Sequence, residues 1–167
     1  MPGAAPSPSS SFSTPPRPHS SAAGAASGGA TPATASNGTI SREALRRLID
    51  EELPGVIRIR RDLHEHPELA FEERRTSRVV CEELKRLKIE HVAGLAGGTG
   101  VLAYLPPTGG TQPGAHSVAL RADMDALQIV ECTGAPYASK TPGVMHACGH
   151  DGHTANLLGV ARILSRL

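Results

Sequence analysis

The chain has no tryptophan, and aromatic residues make up only 2% of its 167 residues. So little aromatic surface argues against a nucleic-acid binder that stacks bases on aromatic platforms. An excess of either charge is also missing: 17 Lys+Arg stand against 16 Asp+Glu, a net charge of +1 with the eight His neutral. That balance argues against a polyanion-coating surface and against an acidic solvating tail. The three cysteines, Cys81, Cys132 and Cys148, are odd in number and irregular in spacing. They form no disulfide framework and point to a reducing compartment. No apolar stretch reaches the roughly 20 residues that a membrane-spanning helix requires.

Glycine and proline, by contrast, are plentiful at 18 and 14, and many fall in one place. Met1 to Thr39 is almost entirely Ala, Ser, Gly, Pro and Thr, with Arg17 its one charged side chain and Phe12 its one aromatic. Such a segment buries too little apolar surface to offset its ordering entropy. Residues 1–40 are therefore expected to be a disordered arm, and residues 41–167 the folded body. The arm has no apolar run after a basic start, so it is no secretory signal. An untargeted arm on a cytoplasmic protein is the favoured reading, with a plastid-type transit peptide as the alternative. Setting aside Arg17 and Arg42 leaves 15 basic and 16 acidic side chains from Glu43 onward. This mixed-sign surface suits a small-molecule enzyme with no nucleic-acid or membrane partner.

Within the body, Ser41 followed by Glu43 reads as a helix N-cap with an acid in the first turn. That helix is expected to stop at Pro54-Gly55, with Val56 to His64 resuming a helical pattern until His66-Pro67. Glu72 to Leu87 predicts a second helix with Val80, Leu84 and Leu87 on one face. Cys81 beside them reads as a small core residue. Gly100 to Leu105 and Ser117 to Ala122 predict strands, the first after a turn at Gly97-Gly98 and the second after a turn-like segment at Pro106 to Gly114. Gly97-Gly98-Thr99-Gly100 lacks the Lys-Ser/Thr ending of a phosphate loop. His153 to Leu167 predicts a last helix whose apolar face is Leu157, Val160, Ala161, Leu164 and Leu167. No stop signal follows Leu167, so the chain is expected to be the N-terminal part of a longer protein. The elements together predict an α/β layered domain.

Three strings carry chemistry. Met145-His146-Ala147-Cys148-Gly149-His150-Asp151-Gly152-His153 gathers three His, one Cys and one Asp just before a helix. Imidazole, thiolate and carboxylate are all ligands of first-row metals. Glycines at 149 and 152 permit a tight turn that points Cys148 and His150 at one centre, and the helix N-terminus favours the thiolate. The competing reading is a polar loop with a buried Cys and solvated His, and spacing alone leaves both open. Arg121-Ala122-Asp123-Met124-Asp125 follows an apolar strand, where open α/β sheets collect their functional groups. One Asp could face a metal while the other caps or pairs with Arg121; an ordinary Asx turn is the alternative. His64-Glu65-His66-Pro67-Glu68 reads equally as a metal pair or a helix end. Neither H-E-x-x-H nor G-x-S-x-G occurs.

In this order, the strings RRDLHEHPELAFEE, LRADMDAL and MHACGHDGHTANLLG resemble one family. It is the metal-dependent amidohydrolase group of hippurate hydrolase, N-acyl-amino-acid amidohydrolases and the plant hydrolases of indole-acetic-acid–amino acid conjugates, metallopeptidase family twenty. The resemblance covers about Leu45 to Leu167. It implies an α/β catalytic domain, with helices packed on a mixed sheet, holding two divalent ions (Zn, Mn or Co), and a smaller inserted domain that covers an N-acyl amino acid substrate and helps form a homodimer. It implies that Cys148 and His150 are metal ligands, the thiolate bridging both ions. It implies that Asp125 is the catalytic Asp that orients the site. Asp123 falls where relatives outside the subfamily hold a His ligand, which leaves it without an assigned role. Gln128 and Val144 depart from the family pattern without touching the implied ligands.

The family's Glu-Glu pair, whose first Glu is the general base, and two further His correspond to nothing in this chain. The implied reaction is attack of a metal-activated water on an amide carbonyl, releasing a carboxylic acid and an amino acid. With two ligands and no base, the 167 residues alone are expected to be inactive. The alternative function is a non-catalytic metal- or partner-binding module derived from such a hydrolase. A Cys/His redox module is disfavoured because no C-x-x-C occurs.

Overall fold

The structure, a computed structural model, describes residues 40–108, 110, 114 and 116–167. Except for Ile40, the segment expected to be a disordered arm lies outside the described residues, as does part of the turn expected at Pro106 to Gly114. The elements run α1 (Arg42–Glu65), α2 (Arg74–Arg86), β1 (Glu90–Leu95), a 3₁₀ turn (Ala96–Gly98), β2 (Gly100–Tyr104) and α3 (His150–Leu164). Among the described residues no helix is long and apolar enough to cross a membrane.

Helix α1 starts as its sequence predicts: the Ser41 hydroxyl accepts a hydrogen bond from the Ala44 amide at 3.1 Å, and Glu43 sits in the first turn. It does not stop at Pro54. The proline lies on the exposed side of one continuous 24-residue helix. Its missing N–H would have bonded to the carbonyl of Asp50, also exposed, where water can serve instead. The buried face continues unbroken through Ala44, Leu48, Gly55, Ile59 and Leu63. That apolar stripe outweighs the local proline penalty.

Helix α2 has no cap from its own N-cap residue, Glu73. Glu68 supplies one from outside: its carboxylate accepts from the Arg75 and Thr76 amides at 2.9 and 2.8 Å and from the Thr76 hydroxyl at 3.0 Å. The acid thus satisfies orphan N–H groups of the first turn and lies at the positive end of the helix. Leu84 is buried, while Val80, Cys81 and Leu87 are half-buried.

The two strands form an antiparallel pair, Glu90 opposite Tyr104 and Ala93 opposite Val101, with a bulge between Ala93 and Leu95. Gly97, at φ 83°, makes the turn between them that a glycine tolerates at little cost. β2 matches the expected strand; β1 was not signalled by any clean alternation. The strand expected over Ser117 to Ala122 does not form. No described strand lies beside it, and Val118 and Leu120 are 86% and 57% exposed. An extended segment without a ladder partner leaves its backbone groups to water. The chain is α/β, with α2 against the small sheet and α1 packed on α3.

The apolar core is Ile59 and Leu63 of α1 with Ala155 and Leu158 of α3, flanked by Val56, Val79 and Val80. This corrects the face expected for the last helix. Its buried residues are Asp151, Thr154, Ala155, Leu158, Gly159 and Arg162, whereas Val160, Leu164 and Leu167 are exposed. Periodicity located an apolar stripe, but the face set against α1 is Ala155, Leu158, Gly159 and Arg162. α1 and α3 approach where Gly159 meets Val56: a Cβ on that glycine would stand 2.9 Å from Val56 Cγ2.

Candidate metal centre

Two isolated pairings assemble the chemistry-bearing strings without a continuous sheet. Leu69 bridges Ala126 in parallel, with the Ala126 amide donating to the Glu68 carbonyl at 2.8 Å. Leu127 and Met145 exchange reciprocal bonds of 3.0 and 2.9 Å. The first pairing hangs the acid string on the end of α1. The second lays it beside the turn that opens α3. Thr154 of α3 closes the arrangement by donating its hydroxyl to the Asp123 carbonyl at 2.9 Å.

The structure brings Asp125 and His150 together. His150 Nδ1 donates to Asp125 Oδ1 at 2.9 Å and lies 3.0 Å from the Asp125 carbonyl oxygen. This orientation commits Nδ1 to a carboxylate and leaves Nε2 with its lone pair free for a cation. Ligand atoms of Asp123, His150 and His153 all lie within 4.8 Å of one another. The His150 and His153 rings are 5.2 Å apart. Asp123 also pairs with the exposed Arg121 at 2.5 Å. Cys148 is exposed and is not one of these three. It sits directly before Gly149, whose φ of 78° makes the turn into α3. Two imidazoles and a carboxylate form a donor set suited to a first-row divalent cation. Asp123 and His153 were not among the ligands expected from sequence. His153 shares α3 with His150, an i, i+3 relation that would have marked it.

Beside this set lies a polar chain, built on the buried pair His64 and Asp151, that the sequence left open. His64 donates Nδ1–H to Asp151 Oδ2 at 2.7 Å and faces Glu131 Oε1 with Nε2 at 3.2 Å. Arg60 reaches the same Asp151 oxygen at 2.9 Å. Asp151 is 1% exposed. The Tyr137 and His64 rings pack nearly perpendicular with centroids 5.7 Å apart, and the Arg60 and Arg61 guanidinium groups lie 5.1 and 4.9 Å from the Tyr137 centroid. Glu131 is held below the usual carboxylate range by donation from the Thr133 hydroxyl and the Ser139 amide. His146 is buried, and among the described residues neither of its ring nitrogens has a hydrogen-bond partner. Burial holds its pKa below the ordinary imidazole value, with Asp151 opposing the shift. His66 turns away to the Asp62 carbonyl at 2.8 Å, so His64 and His66 form no metal pair and their string is a helix end.

Comparison with known proteins agrees with this chemistry. Residues 119–167 match peptidase family M20/M25/M40. The chain is 50% identical over 131 residues to an N-acyl-L-amino acid amidohydrolase of Geobacillus stearothermophilus, covering 77% of this chain and 33% of that protein. It is 46% identical over 108 residues to the hippurate hydrolase of Campylobacter jejuni, covering 65% of this chain and 27% of that protein. The fold resembles the YXEP protein of Bacillus subtilis, described as a dinuclear metal binding peptidase from the M20 family. That likeness has a TM-score of 0.59 and 41% identity, and covers 72% of this chain and 32% of that one. The chain thus spans about a third of the length of the relatives it matches.

Proposed function

We propose, with residues 119–167 belonging to peptidase family M20/M25/M40, that this chain supplies part of the metal-binding face of an amidohydrolase acting on N-acyl amino acids. The observation that carries the reading is the Asp125–His150 pair beside Asp123 and His153. A carboxylate that orients an imidazole towards clustered donors is the common design of a hydrolytic metal site. His150 and Cys148 are the proposed ligands from the turn before α3, with Asp123 and His153 in reach of the same ion. Asp125 is the proposed orienting acid.

A divalent cation held there would acidify a bound water towards neutrality and polarise an amide carbonyl. The chain's own residues hold the donors still. Asp125 fixes the His150 tautomer, and Thr154 ties the acid string to α3. The similarity to an N-acyl-L-amino acid amidohydrolase and a hippurate hydrolase supports a small amide substrate. Indole-acetic-acid conjugates are a finer proposal that rests on the sequence resemblance. Two divalent ions and a homodimer are proposals of the same kind, and a cytoplasmic location is a proposal that rests on the composition of the N-terminal arm and the cysteine pattern.

The test is titration of the chain with Zn²⁺, Mn²⁺ or Co²⁺, followed by assay of N-acyl amino acid hydrolysis. Metal binding that His150→Ala abolishes is the expected result. Binding unchanged by that substitution overturns the site. The chain alone is expected to release no amino acid from hippurate, since no described residue is assigned as the general base. Metal-dependent release would overturn that expectation.

A further inference from the structure

We infer that the polar chain Arg60–Asp151–His64–Glu131, built around the buried Asp151–His64 pair, positions the Cys148-Gly149-His150 turn, with His64 as the residue that sets it. The inference rests on the metal-centre reading only for what the turn holds. How the turn is held is a separate matter.

The turn needs outside support. Gly149 stands at φ 78°, α3 has no side-chain cap at its N-terminus, and a Cβ on Gly149 would meet nothing within 4 Å. A glycine in open space has wide conformational freedom, so local backbone sterics do not fix the path of the turn or where Cys148 points; Asp125 orients the His150 ring but not the backbone that carries it. Asp151, the next residue, is fixed. Its carboxylate is buried to 1% exposure, and one oxygen receives both Arg60 Nε at 2.9 Å and His64 Nδ1 at 2.7 Å.

Arg60 and His64 lie four residues apart on α1, so they present their donors side by side. His64 is itself held from the far side by Glu131, whose other oxygen accepts from the Ser139 amide at 2.6 Å. Burying this carboxylate adds little net adhesion, because the desolvation of charges offsets most of their attraction. Adhesion between α1 and α3 is already provided by Ile59, Leu63, Ala155 and Leu158. What the polar chain adds is direction: a two-donor grip that Asp151 satisfies in only one setting of the α3 N-terminus.

The test separates grip from glue by comparing His64→Asn with His64→Gln in the full 167-residue chain. An Asn amide places its donor near the Nδ1 position and keeps the Asp151 bond. A Gln amide places it near Nε2 and keeps only the Glu131 side. Hydrogen exchange is read at the amides of residues 148–151 and, as reference, at Leu158 in the core. In His64→Gln, exchange at the turn is expected to rise about tenfold or more beyond any rise at Leu158. His64→Asn should restore most of the protection. Co²⁺ affinity should fall about 10- to 100-fold in His64→Gln and much less in His64→Asn.

Equal effects of Asn and Gln, or a rise at the turn no greater than at Leu158, overturn the inference and leave His64 as structural glue. If the wild-type chain binds no Co²⁺, the metal-centre reading fails, yet the exchange comparison still decides the positioning role. If His64→Gln does not fold, Asp151→Asn, isosteric and uncharged, carries the same comparison of turn against core.

Discussion

Arg162 of α3 lays its guanidinium against Gly55 of α1, where a Cβ would stand 2.5 Å from Nη1. The absence of a side chain at 55 lets this buried arginine reach two acids, Glu52 at 3.1 Å and Glu83 at 2.7 Å. One side chain thereby joins α1, α2 and α3. Among the described residues its buried Nε has no hydrogen-bond partner.

Gly55→Ala is expected to destabilise the chain. Helix propensity favours alanine by about 1 kcal/mol, but the new methyl must displace a paired, buried guanidinium. Overpacking of that kind costs about 1–3 kcal/mol. Gly152→Ala is the matched control, because a Cβ there meets nothing within 4 Å. It should be neutral or up to about 1 kcal/mol stabilising. Urea unfolding of both variants checks the pair; a stabilised Gly55→Ala would show that Arg162 moves freely.

The same arginine predicts a pH dependence. Burial pushes the Glu83 carboxyl up, but hydrogen bonds from Arg86 and Arg162 outweigh it and hold the group below its ordinary value. A depressed carboxyl contributes stability that is present above the unfolded value, about 4.3 for Glu. That contribution is lost as pH falls through the folded value. Glu131 is shifted in the same direction, so its contribution disappears in the same acid range. Unfolding midpoints should therefore drop as pH falls below about 4.3. Glu83→Gln should be less stable at neutral pH and converge with the wild type in acid. Parallel curves down to acid would mean that Glu83 is not preferentially ionised in the folded state.

Much of this was legible in the residues, for identifiable reasons. Ser41 caps α1 because a hydroxyl before an acidic first turn is a local signal. The Gly97 turn and β2 were equally local. What escaped depends on distant contacts. Pro54 breaks a helix in isolation, yet the stripe from Leu48 to Leu63 carries α1 past it. Leu157 and Val160 looked like the core face of α3, while Gly159 and Arg162 make the contact because Val56 and Gly55 stand opposite. Ser117 to Ala122 has a strand's composition but no described neighbour to pair with. In the site, the pairing of Asp125 with His150 spans 25 residues, and that of His64 with Asp151 spans 87. No spacing rule reaches that far.

Asp125 is expected to act through His150 and not as a ligand. Asp125→Asn replaces the accepting Oδ1 by a group that can also donate, and Asp125→Ala removes it. Each should lower divalent-metal affinity by about 10- to 100-fold without unfolding the chain. Isothermal titration with Zn²⁺, read beside circular dichroism, measures both effects. Unchanged affinity in the Ala variant would detach Asp125 from the centre.

The donor set itself can be divided by cobalt spectroscopy. A thiolate bound to Co²⁺ gives a sulfur-to-metal charge-transfer absorption in the near ultraviolet that imidazole and carboxylate ligands do not. Cys148 is exposed in the turn that opens α3, so its thiol is open to an ion held by its neighbours. The soft thiolate also strengthens the grip on a late first-row ion. Cys148→Ser should abolish that absorption and weaken binding, whereas His153→Ala should weaken binding and leave the absorption in place. Absorption absent in the wild type, with affinity sensitive to Asp123→Asn and His153→Ala, would instead assign the ion to the cluster within 4.8 Å and remove Cys148 from its ligands. Because Cys148 and His153 are both exposed in the fold, a loss of affinity in Cys148→Ser or His153→Ala reports ligation and not collapse of the core.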